Sequence, residues 1–384
     1  MLSIHRSSQC TYSWDVYAGE TNFTSMIDVL SSLQCLEGLE LNFPDRLHSA
    51  KRLELDLGRI TNLRTLKVSF STSPYHHLGS IPDSILDGIF KAIANNKALK
   101  SLHFTGLPTD GPGVHLPDLL SRTTVDYPIP LEHLHLHSSR LIINGLTLPH
   151  LMSVTSLTAR DKSSRVPDIP WEILRQCGAR LKRLATNDFS RQLLEYLLSY
   201  DGLECLSIQF EGPPASDEDS EYLYKTVLPH HAQTLVELEI HSANTSGLYF
   251  NPLDPNLLAI CSRISKYGAT LSCNDLENDF EALVSGICYW LRVLILTLFK
   301  IQYVTLPRKT HISELVFDIG LLYRGVYYGN EDNKIVDTIE SWSVTNPWHY
   351  PSRIVFEWRI FVLVPNTRST STTQKAFSYC QMPR

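Results

Sequence analysis

The sequence predicts an α/β fold, a solenoid in which parallel strands alternate with helices. Three observations indicate this class. The pattern L-x-x-L-x-L recurs along most of the chain, amphipathic stretches precede several of its copies, and turn-rich loops separate them. The clearest copy runs from Leu131 to His137, where three leucines are interspersed with polar residues. Each copy is therefore expected to be a strand with one buried and one open face.

The pattern is the strand core of a leucine-rich repeat. The spacing of its copies is irregular and exceeds in places the usual ~20–29 residues of such a repeat. Between Leu238 and Leu294 the spacing is about twice that of the other copies, so a degenerate repeat is expected near Ile264–Cys273. The middle leucines of the copies are Leu39, Leu66, Leu102, Leu134, Leu157, Leu184, Leu206, Leu238, Leu294 and Leu315.

Longer repeats require a helix on the outer side, and the sequence supplies such helices upstream of several strands. Ile85, Ile89 and Ile93 have helical spacing after the helix entry at Pro82-Asp83. Leucines after Ser190 form a similar stripe, and so do apolar residues between Leu276 and Ile287. Met26, Ile27, Leu30 and Leu33 open the array. The predicted unit is helix, short turn, strand.

Stacked units of this kind form a leucine-rich repeat solenoid, since one unit alone cannot bury its leucines. The predicted shape is a horseshoe of about ten or eleven repeats, with parallel strands on the concave face and helices on the convex face. Its predicted parts are an N-terminal tail (1–22), the repeat array (23–320), a C-terminal cap (321–364) and a disordered tail (365–384). The cap is predicted from a strand or hairpin over Ile354–Val364, and the disordered tail from its Ser/Thr-rich composition.

Composition narrows the class of protein. The net charge of -6 argues against a general nucleic-acid binder, which would show a basic face. Eight cysteines without a C-x-x-C pair are typical of reduced intracellular thiols. Arg292 and Lys300 interrupt the most apolar window, Gly286–Val304, so no membrane segment is predicted. We expect an intracellular protein, cytoplasmic or nuclear, with no membrane or nucleic-acid partner.

The candidate contact patch lies on the concave face. Side chains alternate along a strand, so His133, His135 and His137 share one surface, and His103 on the preceding strand is expected beside His135. The corresponding positions of the following strands carry Arg160, Arg183, Asn187, Gln209 and His241. The patch is either a metal or pH-sensitive contact site or simply a solvated polar strand face. We predict no metal and no cofactor, since nothing in a flat sheet closes a tetrahedral ligand set.

No catalytic motif points to an enzyme. The sequence lacks a G-x-S-x-G elbow, a phosphate-binding G-x-x-x-x-G-K-[ST] loop, a G-x-G-x-x-G turn and an H-E-x-x-H pair. The predicted function is therefore non-catalytic protein–protein recognition through the concave face, with a protein partner that is not identified. A structural scaffold and a hydrolase with a spatially assembled site are the alternatives.

Several cores carry a resemblance to a known family. The segments Leu63–Val68, Leu203–Ile208 and Leu235–Ile240 resemble the repeats of leucine-rich repeat proteins of the F-box type from mushroom-forming fungi, over about residues 23–320. In that family an F-box binds the Skp1 adaptor of a cullin ubiquitin ligase (the SCF type), and the repeats select the substrate. Here the F-box itself is not evident. Its one echo, Ile81–Phe90, is interpreted as an outer helix, so the resemblance implies Skp1 and cullin only if an F-box is present.

Overall fold

The computed structural model describes most of the N-terminal two thirds of the chain and shorter segments beyond. The described residues are 5–6, 10–16, 23–43, 55–70, 81–105, 115–137, 142–160, 169–210, 217–242, 260–261, 263–271, 314–319, 343–344, 353–356, 359–365 and 377–381. The chain divides into two compact units: unit 1, Met1–Asp188, and unit 2, Phe189–Arg384. Within each unit, parallel strands alternate with helices.

Unit 1 contains an open sheet whose strands follow chain order. Strands β2 to β8 pair in parallel with their sequence neighbours, and β1 pairs antiparallel with β2. The expected α/β class with parallel strands is confirmed here. The strands are β1 His5–Arg6, β2 Cys10–Asp15, β3 Leu36–Phe43, β4 Thr65–Phe70, β5 Ser101–Thr105, β6 His133–His137, β7 Ser156–Arg160 and β8 Arg183–Thr186.

The repeat leucines form one buried row across this sheet. Each is the direct register partner of the next from β3 to β8, and none is more than a few per cent exposed. A slip of one residue would turn a leucine to the opposite face, so burial of the whole row fixes the register. The row consists of Leu39, Leu66, Leu102, Leu134, Leu157 and Leu184.

Helices separate most strands of unit 1. Helix α2 lies at the predicted stripe, and its residues Ile85, Ile89 and Ile93 are fully buried. Two of the short helices begin with Leu-Pro, which suits a first turn because its N–H groups have no partner within the helix. The helices are α1 Phe23–Ser32, α2 Asp83–Asn95, α3 Leu116–Leu119, α4 Leu148–Leu151 and α5 Trp171–Gln176, and a 3-10 turn spans Leu57–Arg59.

Asn96 ties the end of α2 to the chain that leads into β4. Its Nδ2 donates to the carbonyl oxygens of Ile60, at 2.9 Å, and of Ala92, at 2.7 Å. Its Oδ1 accepts from the backbone N–H of Leu63 at 2.6 Å. Only 2% of Asn96 is exposed, so these bonds satisfy polar groups that water does not reach. The side chain thereby fixes how the outer helix sits against the strand carrying Lys67.

Unit 2 repeats the alternation and then changes it. Strands β9 to β12 and β14 pair in parallel, whereas β14–β15, β15–β16 and β13–β16 are antiparallel. The helix expected after Ser190 is confirmed as α6. The Ser190 hydroxyl accepts a hydrogen bond from the backbone N–H of Leu193. The helices are α6 Arg191–Leu198, α7 Asp217–Tyr222 and α8 Leu228–His230, with a π-helical turn at Leu223–Val227. The strands are β9 Cys205–Phe210, β10 Glu237–Ser242, β11 Lys266–Leu271, β12 Glu314–Ile319, β13 Ser343–Val344, β14 Arg353–Phe356, β15 Arg359–Pro365 and β16 Phe377–Gln381.

A strand, β11, lies where the degenerate repeat was expected after Leu238. Tyr267 is the register partner of Leu238 and takes the leucine position, with 2% of its surface exposed. The next core expected, at Leu294, lies outside the described residues, as does the helix over 276–287. Strand β11 pairs directly with β12, in which Leu315 is the partner of Tyr267.

Both predicted tails contain strands. The tail assigned to 1–22 includes β2, which joins the sheet because Tyr12 and Trp14 alternate with polar residues and are buried. Within the tail 365–384 that was predicted as disordered, Phe377–Gln381 form β16 and pair with β15. The hairpin expected near Ile354–Val364 is confirmed as β14 and β15. Neither β2 nor β16 was expected from the sequence, because their short alternating patterns do not carry L-x-x-L-x-L.

Candidate functional site

On the strands of unit 1, polar side chains alternate with the buried leucines and form a polar face. We define this face as the half-buried or exposed side chains of β3 to β8 that alternate with the buried leucines. Its chemistry changes from strand to strand, although the leucines behind it do not. One row across the face consists of the register partners Glu40, Lys67, His103, His135 and Thr158. The term histidine patch is used below for four residues of the polar face: His103, His133, His135 and His137.

Two members of the histidine patch are in direct contact. His103 and His135 are register partners, and their rings stack with centroids 5.3 Å apart and planes 17° apart. The predicted neighbourhood of these two side chains is thus confirmed. His103 Nε2 also lies 2.9 Å from Ser101 Oγ, on the same strand. The hydroxyl and the neighbouring ring together hold the orientation of the His103 imidazole.

The surroundings of the stack keep both rings neutral. The pKa of His103 is lowered to about 4, mainly by desolvation and then, in that order, by the charges of His135, Lys67 and His133. Desolvation also lowers the pKa of His135, with contributions from Arg160 and Lys67. Both effects penalise the protonated form. At neutral pH the stack therefore carries no charge and lies in the field of two permanent cations.

The other predicted residues lie farther from the stack. His133 is exposed and is the register partner of Ser101 on β5 and of Ser156 on β7. His137 is the register partner of Arg160. Arg183 is the partner of Ser156, two strands from His133, which corresponds to about 9–10 Å. The six predicted residues thus share one face, on which His103 and His135 are in ring contact and His137 is in register with Arg160.

Lys67 is the residue of this site that sequence reasoning missed. It is the register partner of His103 and lowers the pKa of both stacked histidines. The signal was available, since Lys67 follows the middle leucine Leu66 of its core just as His103 and His135 follow theirs. Asn187, expected on the same face, is buried at 6% exposure. It follows the last residue of β8 and does not continue the alternation.

Metal binding by the patch requires ligands that converge, and the strand geometry spreads them out. Side chains two positions apart on one strand are separated by about 6.6–7 Å. Within the parts of the chain that the structure describes, no group of three or more His, Cys, Asp or Glu residues is arranged to hold a metal ion. The described side chains of the patch thus lie along a surface and do not form a cage.

His150 is a buried histidine with a structural role. Its Nδ1 accepts a hydrogen bond from the backbone N–H of Ile129 at 2.8 Å, so the proton sits on Nε2. Nε2 lies 3.0 Å from the hydroxyl oxygen of Thr123, which in turn donates to the carbonyl of Leu120 at 2.6 Å. Desolvation lowers the pKa of His150. This neutral ring satisfies loop groups and is not available to a ligand.

Unit 2 also has a polar strand face, on which a carboxylate pairs with an ammonium group. Glu239 on β10 accepts from Ser207 Oγ at 3.1 Å and pairs with Lys266 Nζ at 2.6 Å. The three side chains lie on adjacent strands, and the charges of Glu239 and Lys266 neutralise each other in part. Gln209 and His241, which were expected at corresponding positions, are register partners. Carboxylate and ammonium are paired here, whereas the stack in unit 1 lies among basic groups.

Among the helices that the structure describes, none has the length and hydropathy to cross a membrane. The apolar window Gly286–Val304 lies outside the described residues. No protein-family model matches the chain, and no curated protein matches it.

Proposed function

We propose that the chain is a leucine-rich repeat protein that binds a protein partner through the polar face of unit 1 and performs no catalysis. The observation that carries this proposal is the register of the strands. From β3 to β8 the buried position remains leucine on every strand. The open position beside it is in turn Glu40, Lys67, His103, His135, Thr158 and Ala185. An invariant core behind a varied surface favours recognition, since the core positions the contacts and the varied side chains select the partner.

The partner surface is expected to be acidic. Lys67 and Arg160 both lower the pKa of His135, so the potential at the stack is positive. A carboxylate placed there would interact with permanent cations and accept hydrogen bonds from neutral imidazole N–H groups. Complementary charge of this kind selects partners and accelerates their association.

The size of the polar face limits how it can bind. Five strand spacings of about 4.8 Å and strands of about 17 Å give a surface of roughly 400 Å². A stable protein–protein interface buries about 800 Å² on each partner. The partner is therefore expected to contact more of the chain than the strands alone, or to bind transiently.

The test is affinity purification with the full chain as bait, followed by measurement of the Kd of each recovered partner. Lys67→Gln removes a cation from the polar face, and Lys91→Gln, on the outer helix α2, is the matched control. We expect a partner that binds the wild type and Lys91→Gln equally and binds Lys67→Gln about tenfold more weakly, the loss of roughly 1.4 kcal/mol. Equal binding by all three proteins would show that the polar face is not part of the interface. Recovery of no partner would favour a structural scaffold.

A substrate-selecting role in an SCF-type ubiquitin ligase rests on the family resemblance alone. The same eluate tests it, because Skp1 and a cullin would be recovered together with the substrate. The segment that echoes an F-box lies in α2, where Ile85 and Ile89 are fully buried. An adaptor would need such apolar residues exposed, so a ligase role would require a binding element elsewhere.

A further inference from the structure

Two cysteine side chains meet where the N-terminal strand of the sheet begins. Cys10 is the first residue of β2, and Cys35 immediately precedes β3. Their sulfur atoms are 3.1 Å apart, although the residues are 25 positions apart in the chain. The proximity is thus produced by the fold and not by a local turn.

The pairing of β2 with β3 brings the two thiols together. Cys10 is the register partner of Leu36, and the register shifts between Cys10 and Thr11, so that Thr11 lies opposite Gly38. Gly38 has no side chain, and a Cβ there would lie 2.7 Å from Thr11 Oγ1. Glycine therefore lets the shifted strand approach closely, with Cys10 beside the residue that enters β3.

We propose that Cys10 and Cys35 form a reversible disulfide that fastens β2 to β3. A disulfide has a sulfur–sulfur distance of about 2.05 Å, so the two side chains have to close by roughly 1 Å. The oxidant is a low-molecular-weight disulfide such as oxidised glutathione, and the reaction proceeds in two exchanges.

In the first exchange the thiolate of Cys35 attacks one sulfur of the oxidant, the sulfur–sulfur bond of the oxidant breaks, and one small thiolate leaves. In the second, Cys10 loses its proton to solvent and attacks the Cys35 sulfur, displacing the other small thiolate, and both leaving groups take up protons. Two protein thiols and one oxidant disulfide thus give one protein disulfide and two small thiols. The protein sulfurs are oxidised and the small disulfide is reduced.

Exposure assigns the order of the two thiols. The Cys35 side chain is exposed, whereas Cys10 is half-buried. Hydrogen bonding with Cys35 raises the pKa of Cys10, and desolvation adds to this. Since the thiolate is the nucleophile, Cys35 reacts first with an external oxidant and Cys10 resolves the mixed disulfide.

Other described cysteines are less suited to this reaction. Cys205 and Cys261 are buried, and burial raises the pKa of Cys261 to about 11. Cys177 is half-buried, so it is the natural control. The pair at Cys10 and Cys35 combines access from solvent with a second thiol in reach, the two requirements for selective oxidation.

The test exposes the reduced full-length protein to oxidised glutathione, then alkylates it and cleaves it with trypsin and a protease specific for glutamate. Cleavage after Glu20 separates peptide 7–20, with Cys10, from peptide 21–37, with Cys35. We expect the two peptides joined by a disulfide that dithiothreitol releases. Cys177→Ser should give the same product, and Cys10→Ser should stop at a mixed disulfide on Cys35.

Hydrogen exchange measures the consequence for the fold. Amides of residues 10–16 should exchange about tenfold more slowly in the oxidised protein, because the crosslink suppresses local opening of β2. Three results would overturn the proposal: no joined peptide, a joined peptide containing a different cysteine, or a correct disulfide that leaves exchange over residues 10–16 unchanged. Each is independent of whether the polar face binds a partner.

Discussion

His103 and His135 stack across two parallel strands, with ring centroids 5.3 Å apart. Protonation of both rings would place like charges in contact, in a site that already lies near Lys67 and Arg160. Folding therefore selects the neutral form of both. The cost of charging them links the stability of unit 1 to pH.

The free energy of unfolding is expected to fall as the pH drops through this titration. In the folded protein the pKa of His103 is lowered from 6.5 to about 4, so the unfolded chain binds more protons between these values. The stability contribution is fully present above the upper value and is lost toward the lower one. His103→Gln removes this term, and its stability should decline less between pH 7 and about pH 5. Urea denaturation of both proteins at the two pH values measures this, and identical declines would contradict it.

Lys67 is expected to control the pKa of both stacked rings. Its charge lowers the pKa of His103 and of His135, so Lys67→Gln should raise both values toward that of a free histidine. Titration of the imidazole Hε1 resonances by NMR reports each ring separately. Lys91→Gln, on the outer helix, should leave both titrations where they are in the wild type. If Lys67→Gln also left them unchanged, desolvation and the remaining neighbouring charges would account for the lowered values.

Much of the fold could be predicted because one physical rule recurs in it. Strand alternation requires the leucines on one face, so the spacing of L-x-x-L-x-L fixed the register from Leu39 to Leu184. The doubled spacing after Leu238 predicted a strand where β11 lies, although Tyr267 replaces the leucine. Strand β2 was missed, since Tyr12 and Trp14 fill the core with aromatic side chains and show only a short alternation.

The sequence predicted which histidines of the candidate site lie side by side, but it did not predict the shifts of their pKa values. His103 beside His135 follows from register, which the sequence pattern contains. The order of influences on their pKa values does not, because it depends on how far each ring is withdrawn from water and on cations one or two strands away. The contact between Cys10 and Cys35 could not be predicted from the sequence either, because a register shift in β2 places the two side chains together.

Asn96 is expected to contribute strongly to the stability of unit 1. Asn96→Ala leaves the N–H of Leu63 and the carbonyl of Ile60 without their partner in a buried region, which should cost about 2–4 kcal/mol. The adjacent Asn95 is exposed and donates one bond to the carbonyl of Gly58 at 2.7 Å, so Asn95→Ala is the matched control, costing about 1 kcal/mol or less. Urea denaturation compares the two. Equal losses would show that water replaces the Asn96 bonds.

A side chain at Gly88 is expected to be unfavourable, because α2 lies close to the backbone of Leu55 at this residue. A Cβ at Gly88 would lie 2.0 Å from the carbonyl oxygen of Leu55, a backbone atom that cannot move by a side-chain rotation. Gly88→Ala should therefore displace the helix and cost about 1–3 kcal/mol, although alanine is the better helix former. At Gly145 a Cβ would meet no described atom within 4 Å, so Gly145→Ala should be neutral or slightly stabilising. Thermal and urea denaturation of both variants test the pair. A stabilised Gly88→Ala variant would show that α2 sits farther from Leu55 than the structure places it, and Asn96 would then have to span a longer gap.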